Sequence, residues 1–384
     1  MISTGFSPHV EISLDNLLHN INQIRSVIPS TAEIIAVVKD NAYGCGSIPI
    51  ANTIEQYGNV KFFAVARAEE AIALRKSGLR GTIIVLGRVT AEQINECSIQ
   101  NIIFTLNDLS DFDIWSRCHH DIRFHCNIDT AMHRMGLLPH EIPELIKRIS
   151  SSSKFQLEGV FSHLAKADEP DTQTILIQRS IFFKSIQQLR EKGINPLHIH
   201  FGNSAGLMCF PMDESTLVRP GIALYGCKPN PDKEFCLDLR PILSLKSAVA
   251  KLKKVPANTP VSYGGNYITQ NETYIATIAV GYAHGIPRFL GNKGSILING
   301  HRYKIAGNVT MDYVMVDAGP DPKMIVSDEA VAIGIQGREQ ITADEIAKIG
   351  NTISYEVLCH ISTAIERFYL LKDSIVRHEE SDIF

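Results

Sequence analysis

The chain lacks several features that would assign it quickly. No stretch of its 384 residues approaches the roughly 18 consecutive apolar residues that span a bilayer, and its first ten residues have neither a basic segment nor an apolar core. We therefore expect no membrane partner and a cytoplasmic location. Basic charge is not in excess: 37 Lys and Arg stand against 41 Asp and Glu, a formal net charge of −4, with no block of like-charged residues. That balance gives no field for a polyanion and excludes nucleic acid as a partner. The eight cysteines contain no CxxC pair, so neither a disulfide framework nor a zinc site is expected. The composition, 45% hydrophobic and 20% charged, is that of an ordinary globular protein long enough for two domains.

What is present is an alternation. Eight strand-like apolar runs cover 34–39, 62–66, 82–86, 102–106, 122–128, 157–164, 198–203 and 217–222. Segments with helical spacing separate most of them, the longest at 172–192. Strand then helix, eight times, predicts an α/β fold of the (β/α)8 TIM-type barrel class over residues 1–230. The competing fold is an open doubly wound sheet. It would more usually carry a glycine-rich phosphate turn after its first strand, and no GxGxxG follows Val38. Two prolines and mixed charges at 228–234 break the pattern, and the short runs beyond (243–249, 274–280, 295–298, 313–316, 330–335) predict a mainly β domain over 231–384 with one helix at 341–349.

Lys39 ends a buried apolar run. Such a lysine can snorkel from a strand end, but in barrels the carboxyl ends of the strands carry the site, and an amine there can attack a carbonyl. The same reasoning brings Tyr43, Asp129, Thr130, Arg134, His163, His200, Asn203, Ser204 and Arg219 to one mouth. Two guanidiniums suit an anionic ligand, and Arg219-Pro220-Gly221-Ile222 lies where such barrels bind phosphate. A lysine beside a phosphate rim points to a Schiff base with a phosphorylated aldehyde: pyridoxal phosphate, or a sugar phosphate in an aldolase. A pyridoxal ring needs partners for its nitrogen and phenolic oxygen and something against its face, and Arg219, Arg134 and His163 match those needs. His198 and His200 share one strand face but lack a third ligand at useful spacing, so no metal is expected.

At these residues the chain resembles the alanine racemase family of fold-type III pyridoxal-phosphate enzymes. The resemblance runs from about residue 8 to 370. It rests on Val37-Val38-Lys39-Asp40-Asn41-Ala42-Tyr43-Gly44-Cys45-Gly46, on Asp129-Thr130-Ala131-Met132-His133-Arg134-Met135-Gly136 and on Leu217-Val218-Arg219-Pro220-Gly221-Ile222-Ala223-Leu224-Tyr225-Gly226. In the second domain, Val261-Ser262-Tyr263-Gly264-Gly265, Gly281-Tyr282-Ala283-His284-Gly285 and Asn308-Val309-Thr310-Met311-Asp312 match further family segments.

The resemblance implies that Lys39 holds pyridoxal 5'-phosphate covalently and that Tyr43, Asn203, Ser204, Gly221, Ile222 and Tyr355 form the phosphate cradle. It puts His163 against the ring, Arg219 at the ring nitrogen and Arg134 at the phenolic oxygen. His200 would orient Arg219 or the second base. It implies Lys39 and Tyr263 as two opposed catalytic bases, Arg134 and Met311 as substrate contacts, and a homodimer in which Tyr263 reaches the partner's cofactor. The implied reaction is the interconversion of L- and D-alanine, supplying D-alanine for peptidoglycan. Racemisation needs a proton removed from one face of the α-carbon and delivered to the other. A phenol, ordinarily near pKa 10, needs positive charge nearby to serve.

Three positions depart from the family pattern: Asp40, Cys45 and Asn127. Relatives commonly carry a lysine at the last, whose carbamate braces Arg134. Asparagine cannot form one, so we expect a chloride or similar anion beside Asn127. A serine or broad-specificity racemase on the same scaffold is the nearest alternative. A pyridoxal-phosphate carrier protein would have no need of Tyr263, and a decarboxylase of the same fold type would place a carboxylate, not Arg219, at the ring nitrogen.

Overall fold

Ile34, Ile35, Ala36 and Val37 have no polar alternation, and all four side chains are buried, as a strand covered on both faces requires. They belong to the first of eight parallel strands in the computed structural model, which describes residues 5–98, 102–169, 172–212 and 214–380. The strands are β1 (Glu33–Val37), β2 (Phe62–Val65), β3 (Thr82–Val85), β4 (Ile102–Leu106), β5 (Ile122–Asn127), β6 (Phe155–Phe161), β7 (His198–His200) and β8 (Leu217–Val218). Each pairs in parallel with its successor from β1 to β7, and β8 pairs with β1 through Glu33 with Leu217 and Ile34 with Val218. A bridge between Asn203 and Arg219, with Thr216 N–H donating to Ile199 O at 2.9 Å, closes the ring between β7 and β8. The closed order settles the barrel against the open sheet.

Several strands are shorter than the apolar runs that predict them. β1 stops at Val37, β6 at Phe161, β7 at His200 and β8 at Val218. Lys39, His163, Asn203 and Arg219 therefore lie just past strand ends, in loops of the carboxyl face, where barrel sites are built.

The chain divides into two compact units, one of them residues 20–224 with 235–238, the other residues 5–19, 225–234 and 239–380. The expected division at 230 thus needs a correction at the N-terminus. His9–Ser13 is a strand of the second unit, antiparallel to Leu243–Val255 (His9 opposite Lys246) and parallel to Glu366–Leu371 (His9 opposite Glu366). Val10 and Ile12 are fully buried while Glu11 and Ser13 are not, the alternation of a half-covered sheet rather than of a barrel strand.

In that unit Leu243–Val255 also pairs with Thr273–Ile278 and Glu329–Gln336, and Thr273–Ile278 pairs with Val314–Gly319. The helix Ala343–Gly350 starts where Thr342 accepts the Glu345 N–H at 3.0 Å, a hydroxyl cap. The helix Ser354–Cys359 and the hairpin Glu366–Leu371 with Ser374–Glu379 add to the elements read from sequence. None of the eight cysteines is in a disulfide. Among the described residues no helix is long and apolar enough to cross a membrane.

Candidate active site

After β1 the backbone turns the wrong way. Asp40, Asn41, Ala42 and Tyr43 have φ between 53° and 55°, one turn of left-handed helix made without glycine. Each such residue costs roughly 1–2 kcal/mol, so the turn has to be held. Ala42 N–H donates to Val38 O at 3.0 Å, Gly44 N–H to Asp40 O at 3.2 Å and Gly46 N–H to Asn41 O at 2.9 Å. The Asn41 side-chain oxygen accepts the Ser47 N–H at 2.9 Å. Glu70 reaches across from the next strand–helix connection: one carboxylate oxygen accepts Asp40 N–H at 2.6 Å, the other Ala66 and Arg67 N–H at 2.9 and 3.0 Å. Strain held this firmly is typical of functional turns. Here it presents Lys39, half exposed, with its Nζ 3.7 Å from the Asp40 carboxylate.

The same turn buries Tyr43 with its hydroxyl against Gly221. A Cβ on Gly221 would stand 2.5 Å from that oxygen, so the close approach requires glycine. Ser204 Oγ accepts the N–H groups of Gly221 and Ala223 at 2.9 and 3.3 Å, and Asn203 Oδ1 accepts the Gly206 N–H at 2.9 Å, starting the helix Ser204–Cys209. Tyr43, Ser204, Gly221 and the buried Ile222 thus form one compact cluster of hydroxyls and backbone.

Arg219 is 4% exposed. Its Nη1 donates to His200 Nδ1 and His200 O, both at 2.8 Å, and its Nη2 to Ser162 O at 2.6 Å. The guanidinium also lies 5.0 Å from the Phe161 ring centre. Of five N–H groups, two remain unspent, one on Nε and one on Nη2. No acidic side chain among the described residues pairs with it, and burial lowers its pKa to about 9. His200 Nε2 continues to His125 Nδ1 at 2.9 Å, so both nitrogens of His200 are engaged within the barrel.

His163 is held by the backbone on either side: the side-chain amide of Gln178 donates to His163 O at 3.1 Å and its oxygen accepts Ala165 N–H at 3.0 Å. That amide also donates to Thr130 Oγ1, which is 2.7 Å from Ser162 Oγ. The His163 imidazole is pushed down to about 3, first by burial and then by the positive charges of Arg219, Arg134 and Lys39. Three cations and a neutral imidazole therefore do share one mouth. Asp129 Oδ1 accepts Ala131 and His133 N–H at 3.0 and 3.1 Å, shaping the loop that carries the exposed Arg134. Asn127 donates to Asn107 Oδ1 at 2.9 Å and, with Arg134, Ser162 and His163, lines a cavity of about 20 Å³.

Tyr263, Met311 and Tyr355 belong to the second unit. Tyr263 stands on a turn whose neighbours Ser262, Gly264 and Gly265 all have positive φ, and its carbonyl accepts the Asn308 side-chain N–H at 2.7 Å. Ser262 Oγ donates to Asn308 O at 2.8 Å. Nearby, the N–H groups of Tyr282 and Ala283 donate to Thr310 O and Met311 O, each at 3.0 Å. Tyr263 is 75% exposed and Met311 54% exposed, and Tyr282 and Tyr313 are exposed too. Tyr355 lies in the first turn of Ser354–Cys359.

Sequence reasoning missed Glu70, His125, Ser162 and Gln178. The first, third and fourth act largely on or through backbone groups, which leave no motif. His125 did have a signal: Arg123, His125 and Asn127 alternate with apolar residues along a strand of a barrel interior.

Comparison with known proteins agrees with this geometry. The family model for the alanine racemase N-terminal domain matches residues 12–229, and that for the alanine racemase C-terminal domain matches residues 242–369. The chain is 38% identical over 363 residues to an alanine racemase of Halothermothrix orenii, covering 94% of this chain and 96% of the relative. It is 36% identical over 383 residues to alanine racemase 2 of Bacillus subtilis, covering 96% of each. Among solved structures, the alanine racemase of Bacillus anthracis with bound L-Ala-P superposes with a TM-score of 0.90 at 33% identity over 99% of both chains. With two matched domain models, full-length relatives and a barrel mouth built around Lys39, Tyr43 and Arg219, the chain belongs to the alanine racemase family of pyridoxal-phosphate-dependent isomerases.

Proposed function

We propose that the protein interconverts L- and D-alanine with pyridoxal 5'-phosphate held at the barrel mouth, and in the cell supplies D-alanine for peptidoglycan from the cytoplasm. The observation that carries this reading is Arg219: a buried cation with no acidic partner among the described residues and two unspent N–H groups. A pyridine nitrogen is an acceptor that satisfies it without adding a second charge. The glycine at 221, which leaves Tyr43 and Ser204 close together, supports a phosphate cradle completed within the barrel unit by Asn203 and Ile222.

When bound, the cofactor supplies an electron sink for the pair released at the substrate α-carbon. Lys39 tethers it through Nζ and then moves the α-proton on one face. Tyr263, from the partner subunit of a homodimer, moves the proton on the opposite face. Exposed Tyr263, Tyr282, Met311 and Tyr313 form an apolar and aromatic patch that favours cover by another protein surface. Arg219, with its pKa near 9, stays charged at neutral pH and gives the ring nitrogen a hydrogen bond rather than a proton. His163, uncharged at neutral pH, packs on the ring without adding charge. Arg134 holds the phenolic oxygen and the substrate carboxylate, Met311 bounds the substrate pocket, and His200 braces Arg219. A chloride in the small cavity lined by Asn127 and Arg134 takes the bracing role; that cavity has room for about one small ion.

An absorption spectrum before and after borohydride, followed by α-proton exchange with D- and L-alanine, tests the proposal. A borohydride-sensitive visible band with exchange of both enantiomers is expected; a colourless protein after cofactor addition would defeat it. Relative kcat/KM for alanine, serine and lysine reads the specificity, and alanine should rank first. A bromide-soaked crystal without anomalous density beside Asn127 would remove the anion.

A further inference from the structure

We infer that His125 is a positioning residue for Arg219: it fixes which nitrogen of His200 carries the proton, and so keeps two guanidinium N–H groups free for the cofactor ring. This rests on the proposed pyridoxal-phosphate site, but its structural core does not.

The argument is one of donors and acceptors. Arginine can only donate, so His200 Nδ1, 2.8 Å from Arg219 Nη1, must present a lone pair. His200 is completely buried, and burial, then Arg219, hold it well below its ordinary pKa, so the ring is neutral and its proton sits on Nε2. That N–H faces His125 Nδ1 at 2.9 Å. Two N–H groups cannot face each other at this distance, so His125 Nδ1 is an acceptor and its own proton lies on Nε2. A single direction of donation runs from Arg219 to His200 and from His200 to His125, held by the arginine donor at one end and by the His125 acceptor at the other.

The fold makes room for this pair. His125 is opposite Gly159 in the parallel register of β5 and β6, and a Cβ on Gly159 would stand 2.8 Å from three atoms of the imidazole. The His200 ring stacks on Phe161, centroids 4.8 Å apart and planes within 20°, which restrains it from rotating to another partner. At the end of the chain, His125 Nε2 is buried without a hydrogen-bond partner. A phenyl ring would fill the same space and leave no orphaned N–H. What an imidazole adds is an acceptor for His200 Nε2–H. Without it His200 can take the proton on Nδ1, which would confront Arg219 Nη1 with a second donor and turn the guanidinium away from its place.

The test is long-range proton–nitrogen correlation NMR of histidine-labelled protein, with and without cofactor, comparing His125→Phe and His125→Asn. In the native protein, both His125 and His200 should be neutral with the proton on Nε2. Native protein with His200 protonated on Nδ1 would overturn the inference whatever the variants do. His125→Phe should shift His200 towards the Nδ1–H form, move the visible cofactor band and lower kcat about tenfold or more, with KM changed far less. His125→Asn, whose Oδ1 can stand where Nδ1 stood, should restore the native His200 pattern and most of kcat. A His200 pattern unchanged in His125→Phe, or equal losses in the two variants, would reduce His125 to packing. Because the tautomers are read without cofactor or turnover, failure of the racemase reading leaves them unaltered, and the two failures are distinguishable.

Discussion

The turn that carries Lys39 and the turn that carries Tyr263 are both bent into positive φ, yet they differ in almost everything else. The Lys39 turn is held by backbone bonds, by Glu70 and by the barrel strand before it, and it buries Tyr43 against Gly221 while leaving Lys39 half exposed. The Tyr263 turn is tied through Asn308, but its phenol is 75% exposed among other exposed aromatic and apolar side chains. The amine proposed as one base is placed by its own unit. The other has its backbone placed and its surroundings left open, as a surface meant for cover would be. Preorganisation and exposure divide the two proposed bases between two units of one chain, and that contrast can be attacked directly.

Lys39→Ala should have the largest effect, because tether and base go together: loss of the visible band and a fall in racemisation above about 10⁴-fold. Cofactor retained at wild-type intensity would show that Lys39 is not the anchor. Tyr263→Phe should keep the band and lose roughly 10²- to 10⁴-fold of rate, more for L-alanine than for D-alanine in proton exchange. Mixing these two inactive variants under conditions of subunit exchange sharpens the comparison. If each site draws Lys39 from one subunit and Tyr263 from the other, each hybrid carries one intact site of two and an equilibrated equimolar mixture recovers roughly a quarter of wild-type activity; no recovery in proven hybrids would confine both bases to one subunit.

Gly221→Ala tests the barrel side alone. The added methyl displaces the Tyr43 hydroxyl, and cofactor affinity should drop about tenfold in a fluorescence titration, with no effect on the fold of the second unit. A similar drop in a Tyr43→Phe background would separate the glycine from the hydroxyl.

Acid should weaken the barrel through its buried imidazoles. His125 and His163 are depressed to about 3 and His200 well below its ordinary value, all chiefly by burial, whereas unfolded histidines titrate near 6.5. The unfolded state therefore binds more protons between pH 6.5 and 3. The stability these groups contribute is complete above 6.5 and is lost as pH falls, at up to about 1.4 kcal/mol per pH unit for each. Denaturant midpoints between pH 7 and 5 read that slope, and a flat profile would mean that the folded imidazoles take up protons as readily as unfolded ones. Glu70→Gln should have the smallest effect: it keeps shape but weakens acceptance of three N–H groups, costing about 1–2 kcal/mol by chemical denaturation.

Much of the site is legible in the order of residues alone. Lys39 stands out as a charge ending a buried run, and the same logic brings Arg134, His163, Asn203 and Arg219 to the mouth. Glu70 and Gln178 are not legible, because they bind main-chain atoms, and main-chain geometry leaves no pattern in side-chain order. The strand His9–Ser13 escapes for a different reason. Five alternating residues at a chain end do not reveal which sheet, more than 200 residues away in sequence, they will join.

By itself the sequence determined the barrel, through the period of its apolar runs, and the inventory of the mouth, through residue types at strand ends. Periodicity is local, and local order suffices for both. Only the tertiary structure decided that Lys39 stands on a left-handed turn, that Arg219 is buried with two donors unspent, and that His200 passes its proton's direction on to His125. Those properties depend on which atoms face each other across strands, and on how completely water is excluded between them.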